Sequence, residues 1–205
     1  MHAIQHFYQM ILSKPTAWEG HGNFAIHLTD ALKPKVTVDL GVDYGFSTFC
    51  FAAFGHGKVY GIDSFEGDIH AGQRSTYDYV MKLRDHFRAT LKMKNLYFIK
   101  GHFDDVAKRW EKKIDILHID GLHTYEAVKN DYTTWLPFVN PNGVVLFHDT
   151  ISFPHDVGRF FAELEGFKHN FEHSHGLGVW TRSEVTFEKI QKLLWQQNFP
   201  TKHSD

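Results

Sequence analysis

The chain has 205 residues, a formal charge of −2, 16 histidines and one cysteine, with 42% hydrophobic and 22% charged residues. That composition is ordinary for a folded globular chain, and the length makes one domain the default. The lone Cys50 excludes an internal disulfide framework, the near-zero charge speaks against nucleic-acid binding through phosphate neutralisation, and no apolar run is long enough for a membrane span.

Residues 1–33 read as two helices that cover the sheet built by the later strands. No charged and apolar leader stands at the start, so a reducing cytoplasm is the expected compartment. Residues 36–40 are a short β-branched run ending at Gly41 and read as a buried strand. An apolar helix over 46–54 stops at Gly55, and a second strand spans 58–62. Residues 75–91 read as a helix with Tyr79, Leu83, Phe87 and Leu91 along one face. Then come a strand at 96–99, a short helix at 104–110, a strand at 114–119 and a helix at 124–136, ended by Pro137. Asn142-Gly143 reads as a turn before a fifth strand, 144–147. A helix at 154–164, strands at 167–172 and 178–181, and a last helix capped by Ser183 and running to about Asn198 complete the chain.

This alternation predicts an α/β fold: a doubly wound, mostly parallel seven-stranded sheet with helices on both faces and an antiparallel late pair at one edge. A single domain over 1–205 is expected, with a helical cover at 1–33, the α/β core at 34–182 and a C-terminal helix and tail at 183–205.

Ligands of such sheets bind at the carboxyl ends of the strands, so the residues after each strand carry the information. A dinucleotide loop needs G-x-G-x-x-G; counted from Gly41, the second glycine falls on Asp43 and the third on Phe46. Asp43 would set a negative charge against a pyrophosphate, which disfavours NAD and suits a ligand carrying an ammonium and a sulphonium. No G-K-[ST] phosphate loop is present. Asp63, 18 residues beyond Gly45 at the end of the second strand, can accept hydrogen bonds from a ribose diol.

Several stretches carry a resemblance: Val38-Asp39-Leu40-Gly41-Val42-Asp43-Tyr44-Gly45-Phe46-Ser47, then Tyr60-Gly61-Ile62-Asp63-Ser64, then the segments 114–123 and 142–150. Together they resemble a class I S-adenosylmethionine-dependent methyltransferase of the metal-assisted catechol and sugar O-methyltransferase type, which also implies a Rossmann-like fold. The resemblance implies S-adenosylmethionine held by Gly41, Asp43, Gly45, Ser47, Asp63, Ser64, Phe103 and Asp104. Ser47 would meet the methionine carboxylate, Ser64 and Phe103 would pack on the adenine, and Asp104 would accept its amine. It further implies a divalent metal on Asp120, His148 and Asp149. His123 stands where the catechol type has its general base, with His70, His102, His118 and His148 as rivals.

Imidazole at position 148 suits Zn, Mn, Fe or Ni better than Mg. Neighbours His148 and Asp149 can both face a metal only where the strand has already bent. A metal-free site, with a histidine alone as base, stays open, as does a non-catalytic cofactor-binding module. The implied acceptor is the hydroxyl of a small molecule, a sugar or glycoside, with no nucleic acid or membrane as partner; a homo-oligomer is allowed. Segments 18–23, 65–75 and 151–157 are expected to shape the acceptor side, with 65–75 as a lid. Arg84, Arg88 and Lys92 share a helical face that reads as solvated.

Overall fold

The computed structural model describes residues 2–69 and 72–197. Seven strands form one sheet: β1 (Val36–Leu40), β2 (Lys58–Asp63), β3 (Leu96–Lys100), β4 (Ile114–Ile119), β5 (Val139–His148), β6 (Phe167–Phe171) and β7 (Leu177–Thr181). Their spatial order is β3-β2-β1-β4-β5-β7-β6. All pair in parallel except β7, which runs antiparallel to both β5 and β6. The late antiparallel pair therefore lies at the sheet edge, as the short Gly-containing loop between its strands implies.

Among the described residues, eight α-helices surround the sheet: α1 (His2–Ile11), α2 (Gly22–Leu32), α3 (Phe46–Ala52), α4 (Tyr77–Thr90), α5 (Phe103–Ala107), α6 (Tyr125–Trp135), α7 (Val157–Glu163) and α8 (Glu184–Gln197). Side chains alternate along each strand, so each strand feeds two cores. Leu40, Leu117, Val145 and Phe147 pack with Val128, Tyr132 and Trp135 on one face. Val59, Ile116, Val144 and Leu146 pack with Phe24, Leu28, Phe49 and Phe87 on the other. Each such buried side chain contributes about 1.5–3 kcal/mol, which holds the strand ends in place for the loops that carry polar residues. Ser183 caps α8 as expected, its Oγ accepting from the Thr186 amide at 3.3 Å; the expected end at Asn198 lies outside the described residues.

Three local expectations are corrected. The buried stripe of α4 is Val80, Leu83 and Phe87, whereas Leu91 lies beyond the helix and is 36% exposed. Four-residue steps drift about 40° each around a helix of 3.6 residues per turn, so Tyr79 and Leu91 cannot share one face. Asn142-Gly143 is not a turn: β5 runs through it from Val139, with a register shift against β4 between Ile114 and Ile116. Asp115 fixes this irregularity, accepting from Asn140 Nδ2 and from the amides of Lys35 and Val36. Residues 18–23, expected on the acceptor side from their loop-rich composition, are largely helical: Glu19–His21 is a 3₁₀ turn, α2 begins at Gly22, and Trp18 is 2% exposed.

The sheet reverses direction of growth between β1 and β4, and there the loops after the two strands touch. The Asp120 amide donates to the Leu40 carbonyl at 2.8 Å. Gly41, at φ +97°, has no room for a side chain: a Cβ would sit 1.9 Å from the Asp120 carbonyl oxygen. A glycine is required for both reasons.

Candidate active site

A cavity of about 880 Å³ opens over this switch point, within the range of small-molecule sites. Its first half is the loop after β1. Gly45, at φ +91°, starts α3 and acts through its backbone; it does not line the cavity. Asp63 organises the loop: Oδ2 accepts from the Val42 and Asp43 amides at 2.8 and 3.0 Å, and Oδ1 accepts from the Phe65 amide at 2.7 Å. It still faces the cavity, with acceptor capacity left on Oδ1. Asp43 has a left-handed backbone and pairs with Arg74 Nη2 at 2.8 Å. Burial pushes its carboxyl up, against the pull of Arg74.

Two expected cofactor contacts are placed differently. Ser47 lines the cavity, but its hydroxyl donates to Asp39 Oδ2 at 2.7 Å, so that proton is not available to a carboxylate. Asp104 is exposed, accepts from Asn130 Nδ2 at 3.0 Å and does not line the cavity. Ser64 and Phe103 do line it. Asp39, fully buried, also accepts from Thr48 and from His118 Nδ1 at 2.6 Å. That bond places His118 in the core rather than at the reaction centre.

The second half gathers charge. Asp120 and His123 follow β4, His148 ends β5, and Asp149 follows it at φ +64°. That left-handed backbone resolves the alternation problem, since it folds Asp149 back beside His148 instead of across the sheet from it. His148 Nδ1 lies 3.3 Å from Asp120 Oδ1 and 3.1 Å from Asp149 Oδ2. His123 Nε2 lies 3.0 Å from Asp149 Oδ2 and 3.6 Å from Asp120 Oδ1. His148 Nε2 donates to the Ser174 carbonyl at 3.2 Å, and Phe153 stacks on the His123 ring at 4.6 Å.

Burial opposes charge on both rings, but the carboxylates outweigh it. His123 is held up to about 9 and His148 to about 10. Burial raises Asp120 and Asp149 while the two imidazoles pull both below the usual carboxylate range, the stronger effect. The carboxylates thus favour the protonated form of both rings, whereas an ion held by Asp120, His123 and Asp149 would require His123 neutral.

The ligating atoms close enough to share one ion come from Asp120, His123 and Asp149, all within 4.8 Å of one another. The expected set had His148 in place of His123; His148 Nδ1 lies within 3.3 Å of both carboxylates as well. The donor set fits a divalent cation: two carboxylates and an imidazole, with a further histidine to orient them. Mixed nitrogen and oxygen donors favour Mn, Fe or Zn over Mg.

Among the rival bases, His102 lines the cavity and His70 lies outside the described residues. Sequence reasoning missed His175. It lines the cavity, lies 4.0 Å from Asp149 Oδ1, and bonds Ser152 Oγ at 2.7 Å through Nδ1. Its carbonyl accepts from the Ile151 and Ser152 amides. The signal was present in His173-Ser174-His175-Gly176, because an antiparallel strand returning beside β5 brings its preceding loop to the end of β5. The expected lid, 65–75, carries a two-residue bridge of Gly67–Asp68 with Gly72–Gln73 and reaches the first half through Arg74.

Residues 38–150 match a family described as a methyltransferase domain. Over 191 residues the chain is 36% identical to the uncharacterised protein y4gI of Sinorhizobium fredii, covering 85% of this chain and 21% of that protein. The chain thus spans about a fifth of the length of that curated relative. Among solved structures it is similar to the SAH-bound Podospora anserina methyltransferase PaMTH1, with TM-score 0.65, 12% identity and coverage of 89% of this chain and 88% of that one. A Bacillus cereus O-methyltransferase in complex with SAH gives TM-score 0.62, 13% identity and coverage of 87% and 90%. At these identities the structural likeness is one of fold. Among the described residues no helix is long and apolar enough to cross a membrane.

Proposed function

Because the chain belongs to the methyltransferase-domain family, we propose that it transfers the methyl group of S-adenosylmethionine to a hydroxyl of a small acceptor. A sugar or glycoside is the acceptor class its sequence motifs imply. The observation that carries this reading is the convergence of Asp120, His123, His148 and Asp149 in the same cavity as the Gly41–Gly45 loop and Asp63.

The two halves divide the work. The β1 loop and Asp63 hold the adenosyl end, with Phe103 against the base. Methyl transfer is an in-line displacement: the acceptor oxygen bonds the methyl carbon as the carbon–sulphur bond breaks, and the hydroxyl proton must leave. Positioning is the main demand, since the donor is already activated. Asp120, His123 and Asp149 would hold a divalent ion, which when bound lowers the pKa of the acceptor hydroxyl. His148 orients both carboxylates through Nδ1 while its Nε2 is anchored on Ser174. His175, half in solvent and beside Asp149, takes the base role in this arrangement.

The test is methyl transfer from S-adenosylmethionine to a panel of sugars and glycosides, with the protein either loaded with Mn²⁺ or stripped with EDTA. Transfer that depends on the metal is the expected result. Full activity in EDTA contradicts the metal role and selects a histidine-only mechanism.

A further inference from the structure

The cavity has a second charged feature that methyl transfer does not use. Lys14, in the segment between α1 and the 3₁₀ turn, is half-buried and lines the cavity. Its ammonium lies 5.5 Å from the Tyr44 ring centroid and 5.6 Å from that of Tyr79. Tyr79 meets Tyr44 edge-on at 5.4 Å and is tethered by a 2.7 Å hydrogen bond with Ser13 Oγ. On the same Tyr44 ring lies the Arg74 guanidinium, at 5.3 Å. Two cations thus share one aromatic ring at the wall of the cavity. Such contacts fix a cation without neutralising it.

The charges around them are matched, and Lys14 is not. Asp120 and Asp149 face His123 and His148, Asp43 takes Arg74, and Asp63 takes three backbone amides. Among the described residues no carboxylate pairs with Lys14. Arg74 also keeps a buried Nε that no group among the described residues accepts, so its fork is only partly used by Asp43. Two cations held at one ring on the cavity wall, one of them with no carboxylate partner among the described residues, suit the recognition of an oxyanion.

The chain segment decides which oxyanion. Four residues past Lys14 it reaches Trp18, whose ring lies 5.9 Å from that of His148. Lys14 thus lines the same cavity as Asp120 and Asp149, on a segment that runs on to Trp18 beside the cluster. We propose that Lys14 and Arg74 are specificity-determining residues that select acceptors carrying a phosphoryl or carboxylate group apart from the hydroxyl that is methylated. This rests on the methyl-transfer reading above.

The test is calorimetry on the whole protein loaded with S-adenosylhomocysteine and titrated at constant ionic strength with inorganic phosphate and, separately, with acetate. Saturable binding is expected, weakened about fivefold or more in Lys14→Met and kept in Lys14→Arg. Lys94→Met, on the rim of a different pocket, should bind as the wild type does. Stronger binding of phosphate than acetate assigns a phosphorylated acceptor, and the reverse assigns a carboxylated one. Equal binding by wild type and Lys14→Met, or no saturable binding of either anion, overturns the proposal. So does a loss of S-adenosylhomocysteine affinity in Lys14→Met, because the cation would then serve the cofactor's own carboxylate. Repeating the anion titrations without S-adenosylhomocysteine makes failure of cofactor binding and failure of the rim separate results.

Discussion

The two halves of the cavity are built by different means. The β1 half is almost all backbone: a left-handed glycine, a loop of amides turned onto Asp63, and a helix that starts at Gly45. Its parts lie close together in the chain. The cluster half is made of side chains from three separate segments, the ends of β4 and β5 and the loop before β7, held together by ion pairs and by carbonyls at 174 and 175. A backbone-built half resists side-chain change but not added bulk at its glycines. A side-chain-built half should lose its chemistry to single substitutions while the fold survives.

The largest expected effect comes from that difference. Asp120→Asn should lower methyl transfer about a thousandfold, since several kcal/mol of charge stabilisation depend on this carboxylate. S-adenosylhomocysteine affinity and the thermal midpoint should stay close to wild type, and a matching loss of cofactor binding would erase the distinction between the halves. Gly41→Ala should behave the opposite way. Its Cβ would press on the Asp120 carbonyl at 1.9 Å in a backbone conformation that L-residues rarely adopt. A stability loss of about 2–4 kcal/mol is expected in urea unfolding.

His148→Ala is the next in size. Removing the ring that orients both carboxylates should weaken Mn²⁺ binding about 10–100-fold, with cofactor affinity unchanged in the same calorimeter cell. An unchanged metal affinity would show that Asp120, His123 and Asp149 hold their positions unaided.

The smallest effect concerns Asp131, which reaches the seam between the halves behind Gly121. Burial, with the nearby Asp104 charge, pushes its carboxyl up to about 7. A raised pKa favours the protonated folded state, so this contribution is full below the ordinary aspartate range near 3.9 and is lost as the pH rises to about 7. Asp131→Asn should therefore stabilise the protein more at pH 8 than at pH 5, by on the order of 1 kcal/mol. Equal gains at both pH values would place the carboxylate in a solvated setting.

The same contrast explains what the sequence revealed. The alternation of strands and helices, the late antiparallel pair at the edge and the place of Asp63 at the end of β2 could be read from strand periodicity and from loops that close over a few residues. The pairing of His148 with Asp149 could not, because it depends on a left-handed backbone at a non-glycine residue. Ser47 and Asp104 were assigned to the cofactor by position in a motif, but Asp39 and Asn130 take the bonds. His175 escaped because its loop is remote in the chain and adjacent only after the sheet has formed. Lys14 has no motif at all; its place comes from aromatic packing on Tyr44 and Tyr79.

Everything proposed for the cavity depends on the β1 half binding an adenosyl cofactor through Asp63, independently of the cluster. Titration of S-adenosylhomocysteine into the purified protein, with NAD as control, tests this directly. The predicted result is micromolar binding that persists in Asp120→Asn, disappears in Asp63→Ala with the fold confirmed by thermal melting, and is absent for NAD. No binding by a folded wild-type protein would contradict the methyl-transfer reading and leave a likeness of fold alone.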